Sequence, residues 1–100
     1  MKEFLVEMTT VAPPEAGPAE VADRRAAEAV RARELAAAGH LVRLWKPAGD
    51  PRTIGLWRAA DETALHDKVI GTLPLRPWMT LVVTPLESHP NDPGRADSGE

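Results

Sequence analysis

One hundred residues leave room for a single hydrophobic core, and a hydrophobic content of 43% is enough to build one. A net charge of −3, from 12 basic and 15 acidic side chains, lacks the basic excess of a nucleic-acid-binding surface. With no cysteine the chain has neither disulfides nor thiolate metal sites, and no apolar run approaches the roughly 20 residues of a membrane span. Acidic residues flank the short apolar run near the N-terminus, so it does not read as a signal peptide. The expectation is a soluble cytoplasmic protein that binds neither nucleic acid nor membrane.

Residues 3–9 alternate Phe4, Val6 and Met8 with Leu5, Glu7 and Thr9, the period of two that marks a strand. Pro13, Pro14 and Gly17 make 11–17 a loop. Pro18 suits the first turn of a helix, and 19–38, free of Gly and Pro and dominated by Ala, Arg and Glu, is the strongest helical segment. Gly39 is placed to end that helix in a left-handed conformation. Residues 41–46 read as a second strand, 47–51 as a turn and 53–59 as a third strand closing a hairpin. Asp61 caps a second helix running from 62 to about 72; Pro74 and Pro77 break it. Residues 78–86 form a fourth strand, with Pro85 favouring an edge or a bend near its end. Residues 1–90 then make one domain and 91–100 a flexible polar tail.

The order β-α-β-β-α-β is the ferredoxin-like pattern, an α+β fold with a four-stranded antiparallel sheet and both helices on one face. The other face has no cover from this chain. Strands as apolar as Leu81-Val82-Val83 call for a second layer, so a homo-oligomer is expected.

At 100° per residue, Val21, Ala22, Ala29, Ala32, Leu35 and Ala36 gather on one side of the first helix, the side that should meet the sheet. Glu28 and Arg25 fall inside that face. A carboxylate there admits two roles: a structural group at the rim, paired with Arg24 or Arg25, or a partly desolvated base lining a cavity between helix and sheet. His66 shares a stripe with Ile70 and Leu73 and borders the core side of the second helix. It is either a satisfied structural histidine or a proton carrier. In the second strand Leu41, Arg43 and Trp45 share one face and Val42, Leu44 and Lys46 the other. Trp45 and Trp57 are cavity walls, interface anchors or core packing. His40, His66 and His89 show no metal-ligand spacing, the seven glycines form no phosphate loop, and Ser88 and Ser98 lie in or near the tail, which argues against a serine triad.

Taken together, several blocks resemble the muconolactone delta-isomerase family over about residues 3–91. They are Phe4-Leu5-Val6-Glu7-Met8-Thr9, Glu28 in the long helix, Gly39 followed by Arg43-Leu44-Trp45-Lys46, Ala64-Leu65-His66-Asp67, Leu73-Pro74-Leu75 with Pro77, and His89-Pro90. The resemblance implies the ferredoxin-like fold, a ring-like homo-oligomer (a decamer) and no cofactor. It also implies a reaction that shifts a double bond in a small unsaturated lactone bearing an acetate arm. A base removes a ring proton, a dienolate forms, and a proton returns beside the lactone carbonyl. On this resemblance Glu28 is the leading base and His66 a second proton carrier, with Arg25, Arg43, Trp45 and Lys46 as substrate-binding residues. The chain departs from the family pattern where Lys46 replaces a frequent arginine, where Arg43 and Asp50 replace histidines, and along 53–59, which matches poorly. These departures keep two other functions in view: an isomerase or cyclase of a biosynthetic intermediate, and a non-catalytic ligand-binding oligomer.

Overall fold

Alternation puts Phe4, Val6 and Met8 on one side of β1 (Lys2–Thr10), and in the computed structural model, which describes residues 1–94, all three are buried. β1 pairs antiparallel on both sides, with β3 (Thr53–Ala59) and with β4 (Met79–Leu86), and β2 (Leu41–Trp45) extends the sheet from β3. The order is β2-β3-β1-β4. Residues opposite one another in register share a face. Phe4 therefore lies beside Trp57 and Pro85, Val6 beside Gly55 and Val83, and Met8 beside Thr53 and Leu81. This is the face the helices cover. Trp57 and Ala59 join β1's three residues there, with Leu35, Leu65, Val69, Ile70 and Leu73 contributed from above.

Helix α1 (Pro18–Ala37) starts at the proline and stops before Gly39, whose φ of 86° an L side chain would resist. Its inward row is narrower than the helical wheel suggests. Val21, Arg24, Glu28, Arg31 and Leu35, at steps of three and four, face the body of the molecule, and only Leu35 is buried. Ala22, Ala29 and Ala36, expected on the sheet side, are exposed. A cavity lined by Arg25, Glu28 and Ala32 lies beneath the middle of α1.

The second helical run begins as expected. Asp61 Oδ1 accepts from the Ala64 amide at 2.8 Å and caps α2 (Glu62–Ala64). The chain then widens into a π turn, Leu65–Val69, closed by the Ile70 amide on the Leu65 carbonyl, and tightens into a 3-10 turn, Ile70–Thr72. The extra residue in the π turn brings Leu65, Val69 and Ile70 inward together. His66 is half-buried at the edge of this run, bordering the core side.

A second irregularity moves Leu41. Leu41 is opposite Trp57 and Arg43 opposite Leu56, so Val42 is an extra residue in β2. This bulge turns Leu41 to the helix side, with Leu44, instead of the side of Arg43 and Trp45. The far face of the sheet bears Leu5, Ile54 and Leu56, all half-buried, and Trp45, Val82 and Leu86, all exposed. No element of the described residues covers it. The tail expected over 91–100 falls mostly outside the described residues.

Candidate active site

A cavity of about 460 Å³ opens between α1 and the sheet. Met8, Thr10, Thr53 and Trp57 form its floor, Arg25, Glu28 and Ala32 its helical wall, and Leu73, Leu75 and Met79 its third side. Leu41, Leu44, Lys46 and Pro51 complete it from β2 and the hairpin turn. That size suits a small ligand. The hairpin turn is itself pinned: Arg52 bonds Asp50 through Nη2 at 2.9 Å and Glu7 through Nη1 at 2.6 Å. The Arg52 guanidinium and amide hold the Asp50 carboxyl below its usual range.

Glu28 stands in the helical wall of the cavity. The segment after the second helical run folds back over α1 and binds its inward row. Arg31 Nε donates to Thr72 Oγ1 at 3.0 Å, Arg24 Nη1 donates to the Pro74 carbonyl at 2.8 Å, and the Arg24 guanidinium lies 4.7 Å from the Trp78 ring centre. Between these contacts the Leu75 amide donates to Glu28 Oε1 at 2.9 Å. Among the described residues no cation lies within ion-pair distance of Glu28, and nothing bonds its second oxygen. Burial pushes its carboxyl above the ordinary 4.5, against the smaller lowering effect of the Leu75 amide. A half-buried carboxylate fixed through one oxygen and free at the other is equipped to take a proton from a ligand in the cavity.

The structure brings together three of the residues singled out in the sequence: Glu28, Arg25 and Lys46 all line the cavity. Arg25 and Lys46 are both exposed and supply its positive charge. His66 is not a lining residue; its Nε2 is 3.4 Å from Glu62 Oε2, one turn back on the outer surface. Arg43 and Trp45 project from the opposite face of the sheet, where the guanidinium stacks 5.1 Å from the indole centre. Neither Arg24 nor Arg25 pairs with Glu28; Arg24 reaches Glu20 and Pro74 instead.

Sequence reasoning missed the role of 72–78. Pro74 and Pro77 signalled a break, but nothing local says that the broken segment returns to α1 and presents an amide to Glu28. It also left open the place of Trp57, a buried cavity wall. Among the described residues no three His, Asp or Glu side chains are grouped to hold a metal. A larger hollow of about 620 Å³ at the sheet end, beside Met1, Phe4 and Leu86, holds the Glu3–Arg58 ion pair.

The family model for muconolactone delta-isomerase matches residues 2–92. A muconolactone delta-isomerase of Cupriavidus pinatubonensis is 31% identical over 88 residues, covering 88% of this chain and 95% of that protein. A crystal structure of muconolactone isomerase superposes with a TM-score of 0.80 at 32% identity, over 91% of this chain and 94% of the other. Match along nearly the whole length, in sequence and in architecture, establishes that the chain belongs to the muconolactone delta-isomerase family.

Proposed function

We propose that this chain is a cofactor-independent isomerase that converts muconolactone to 3-oxoadipate enol-lactone, with Glu28 as the base. The observation that carries the proposal is the Glu28 carboxylate, anchored by the Leu75 amide inside a cavity edged by Lys46 and Arg25. In this reading the free Glu28 oxygen removes the proton on the ring carbon that bears the acetate arm. The released electron pair forms the new ring double bond, the old double bond shifts, and charge reaches the lactone carbonyl oxygen as a dienolate. Protonated Glu28 then delivers its proton to the carbon beside that carbonyl, which restores the carboxylate and leaves an isomer of the starting lactone. One base can serve both carbons because the ring is small and Glu28 is held at one point. The direct test is proton NMR of muconolactone with the purified protein; enol-lactone should accumulate, and an unchanged spectrum would overturn the proposal.

Lys46 and Arg25 hold the acetate arm in this account. Lysine does so as a point charge, without the two-pronged grip of arginine. Lys46→Met should raise KM about tenfold with little change in kcat, the low end for a charge-assisted bond because Lys46 is exposed. Steady-state kinetics at low and high salt check this: added salt should weaken the wild type more than the variant. Equal KM values would remove Lys46 from the site. His66, Arg43 and Trp45 have no part in this chemistry within one chain.

The same proposal includes assembly, with a decamer as the form the family resemblance implies. The uncovered sheet face carries Leu5, Ile54, Leu56, Val82 and the Arg43–Trp45 stack. Trp45 is 41% and Val82 56% exposed in the single chain. Wet apolar area forgoes about 25 cal/mol per Å², a large sum on a domain whose total stability is about 5–15 kcal/mol. Light scattering at micromolar concentration should give a multiple of the 10.8 kDa chain, and Trp45→Glu should lower it. A wild-type monomer would overturn the assembly. The reading also places residues 1–90 as the working domain and the protein in the cytoplasm. No helix among the described residues is long and apolar enough to cross a membrane.

A further inference from the structure

Arg24 and Glu28 stand one turn apart on the inward row of α1, and both bind the same peptide unit. Arg24 Nη1 donates to the Pro74 carbonyl at 2.8 Å. The Leu75 amide, the other end of that planar group, donates to Glu28 Oε1 at 2.9 Å. Among the described residues no peptide bond is cis, so this carbonyl and this N–H point opposite ways. The unit therefore lies along α1 with its oxygen at the guanidinium and its hydrogen at the carboxylate. A grip on the oxygen fixes the direction of the N–H. It also polarises the peptide, which makes the N–H a stronger donor. Arg24 is itself held, its guanidinium carbon 4.7 Å from the centre of the Trp78 ring. Its contact with Glu20, 3.4 Å on the exposed side, adds little.

We propose that Arg24 is a positioning residue for the base: through the 74–75 peptide it holds the Leu75 N–H on one oxygen of Glu28 and leaves the other oxygen for the substrate proton. The proposal rests on the isomerase function proposed above and adds the group that orients its base. Arg24 does not line the cavity, so it acts through the peptide and not on the substrate. The other charged groups near Glu28 are Arg25 and Lys46 on the cavity and Arg31, which bonds Thr72 and Glu34. The sheet floor and residues 73–79 add no acidic or basic lining group. The Leu75 amide is thus the one hydrogen bond that fixes the carboxylate, and Arg24 governs it. Release of that amide would remove the contact that lowers the Glu28 pKa and leave burial alone to raise it.

The test is an NMR pH titration of 15N-labelled protein without substrate. In the wild type the Leu75 amide proton should follow the titration of the carboxylate it bonds, and Glu28→Gln should abolish that response. Arg24→Met keeps the aliphatic stem and removes the guanidinium. Its Leu75 response should shrink and the Glu28 midpoint move to higher pH. Both changes should persist in high salt, where a mere loss of charge is screened. Arg24→Lys, which can still donate to the Pro74 carbonyl, should restore most of the wild-type behaviour, and Glu20→Gln should leave it unaltered. In activity, Arg24→Met should lower kcat on muconolactone about tenfold with KM little changed, the mark of a base held less well. A Leu75 response and a Glu28 midpoint equal to those of the wild type would overturn the proposal, whatever Arg24→Met does to stability. So would changes that vanish in high salt. Should Arg24→Met not fold, Arg24→Ala is read the same way. Absence of wild-type turnover would overturn the isomerase reading alone, because the titration needs no substrate.

Discussion

Glu28→Gln should lower kcat on muconolactone by about 10³-fold, within the span that a positioned general base contributes. The substitution is nearly isosteric, and the Gln oxygen can still accept from the Leu75 amide, so the segment 72–78 keeps its hold on α1. What disappears is the group that receives the proton. The stability effect has the opposite sign and separates chemistry from folding. Because burial raises the Glu28 pKa in the native state, the native protein holds that proton more tightly than the unfolded chain does. Stability therefore falls as pH rises from the ordinary value near 4.5 through the raised native value, and stays at the lower level above it. The Gln variant has no such loss. Its denaturant midpoint at pH 7 should equal or exceed that of the wild type while its activity is almost gone. A variant that is inactive and also much less stable would point to a structural role instead.

Leu35→Ala should destabilise the protein by about 2–5 kcal/mol, the range for a truncated core leucine. α1 is long but poorly anchored: Leu35, 2% exposed, is its only buried residue, and Val30 on its outer side is 48% exposed. The rest of its attachment is polar, through Arg24, Glu28 and Arg31 to residues 72–75. Loss of the single apolar anchor is a large fraction of a marginal total. Glu28 sits two turns before Leu35 on the same row, so the variant should lose activity beyond what its unfolded fraction explains. Urea unfolding with activity measured on the same samples checks both parts. A midpoint within error of the wild type would mean that the polar contacts alone hold the helix.

The alternation of Phe4, Val6 and Met8, the Gly39 stop, the Asp61 cap and the Thr53–Ala59 strand are all read directly from local patterns, because each depends on residues within a few positions. Glu28 was legible for the same reason: it stands seven residues from Val21 and from Leu35, and helical geometry fixes the rest. Two irregular spots come from single-residue insertions into regular periods. One extra residue at Val42 reverses Leu41, and one extra residue in the π turn brings Leu65, Val69 and Ile70 to the core together. Neither insertion has a sequence signature as plain as a proline. The Leu75 amide was hidden for another reason. Its importance lies in a partner 47 residues away, which no local pattern records.

The central claim is that a half-buried Glu28 is the base, and the acid limb of the kcat/KM profile tests it most directly, since that limb reports groups of the free enzyme. The wild type should lose activity on acidification with a midpoint above the ordinary glutamate value of 4.5, and the residual activity of Glu28→Gln should lack that limb. The same limb in both proteins, or a wild-type profile flat through this range, would contradict the account.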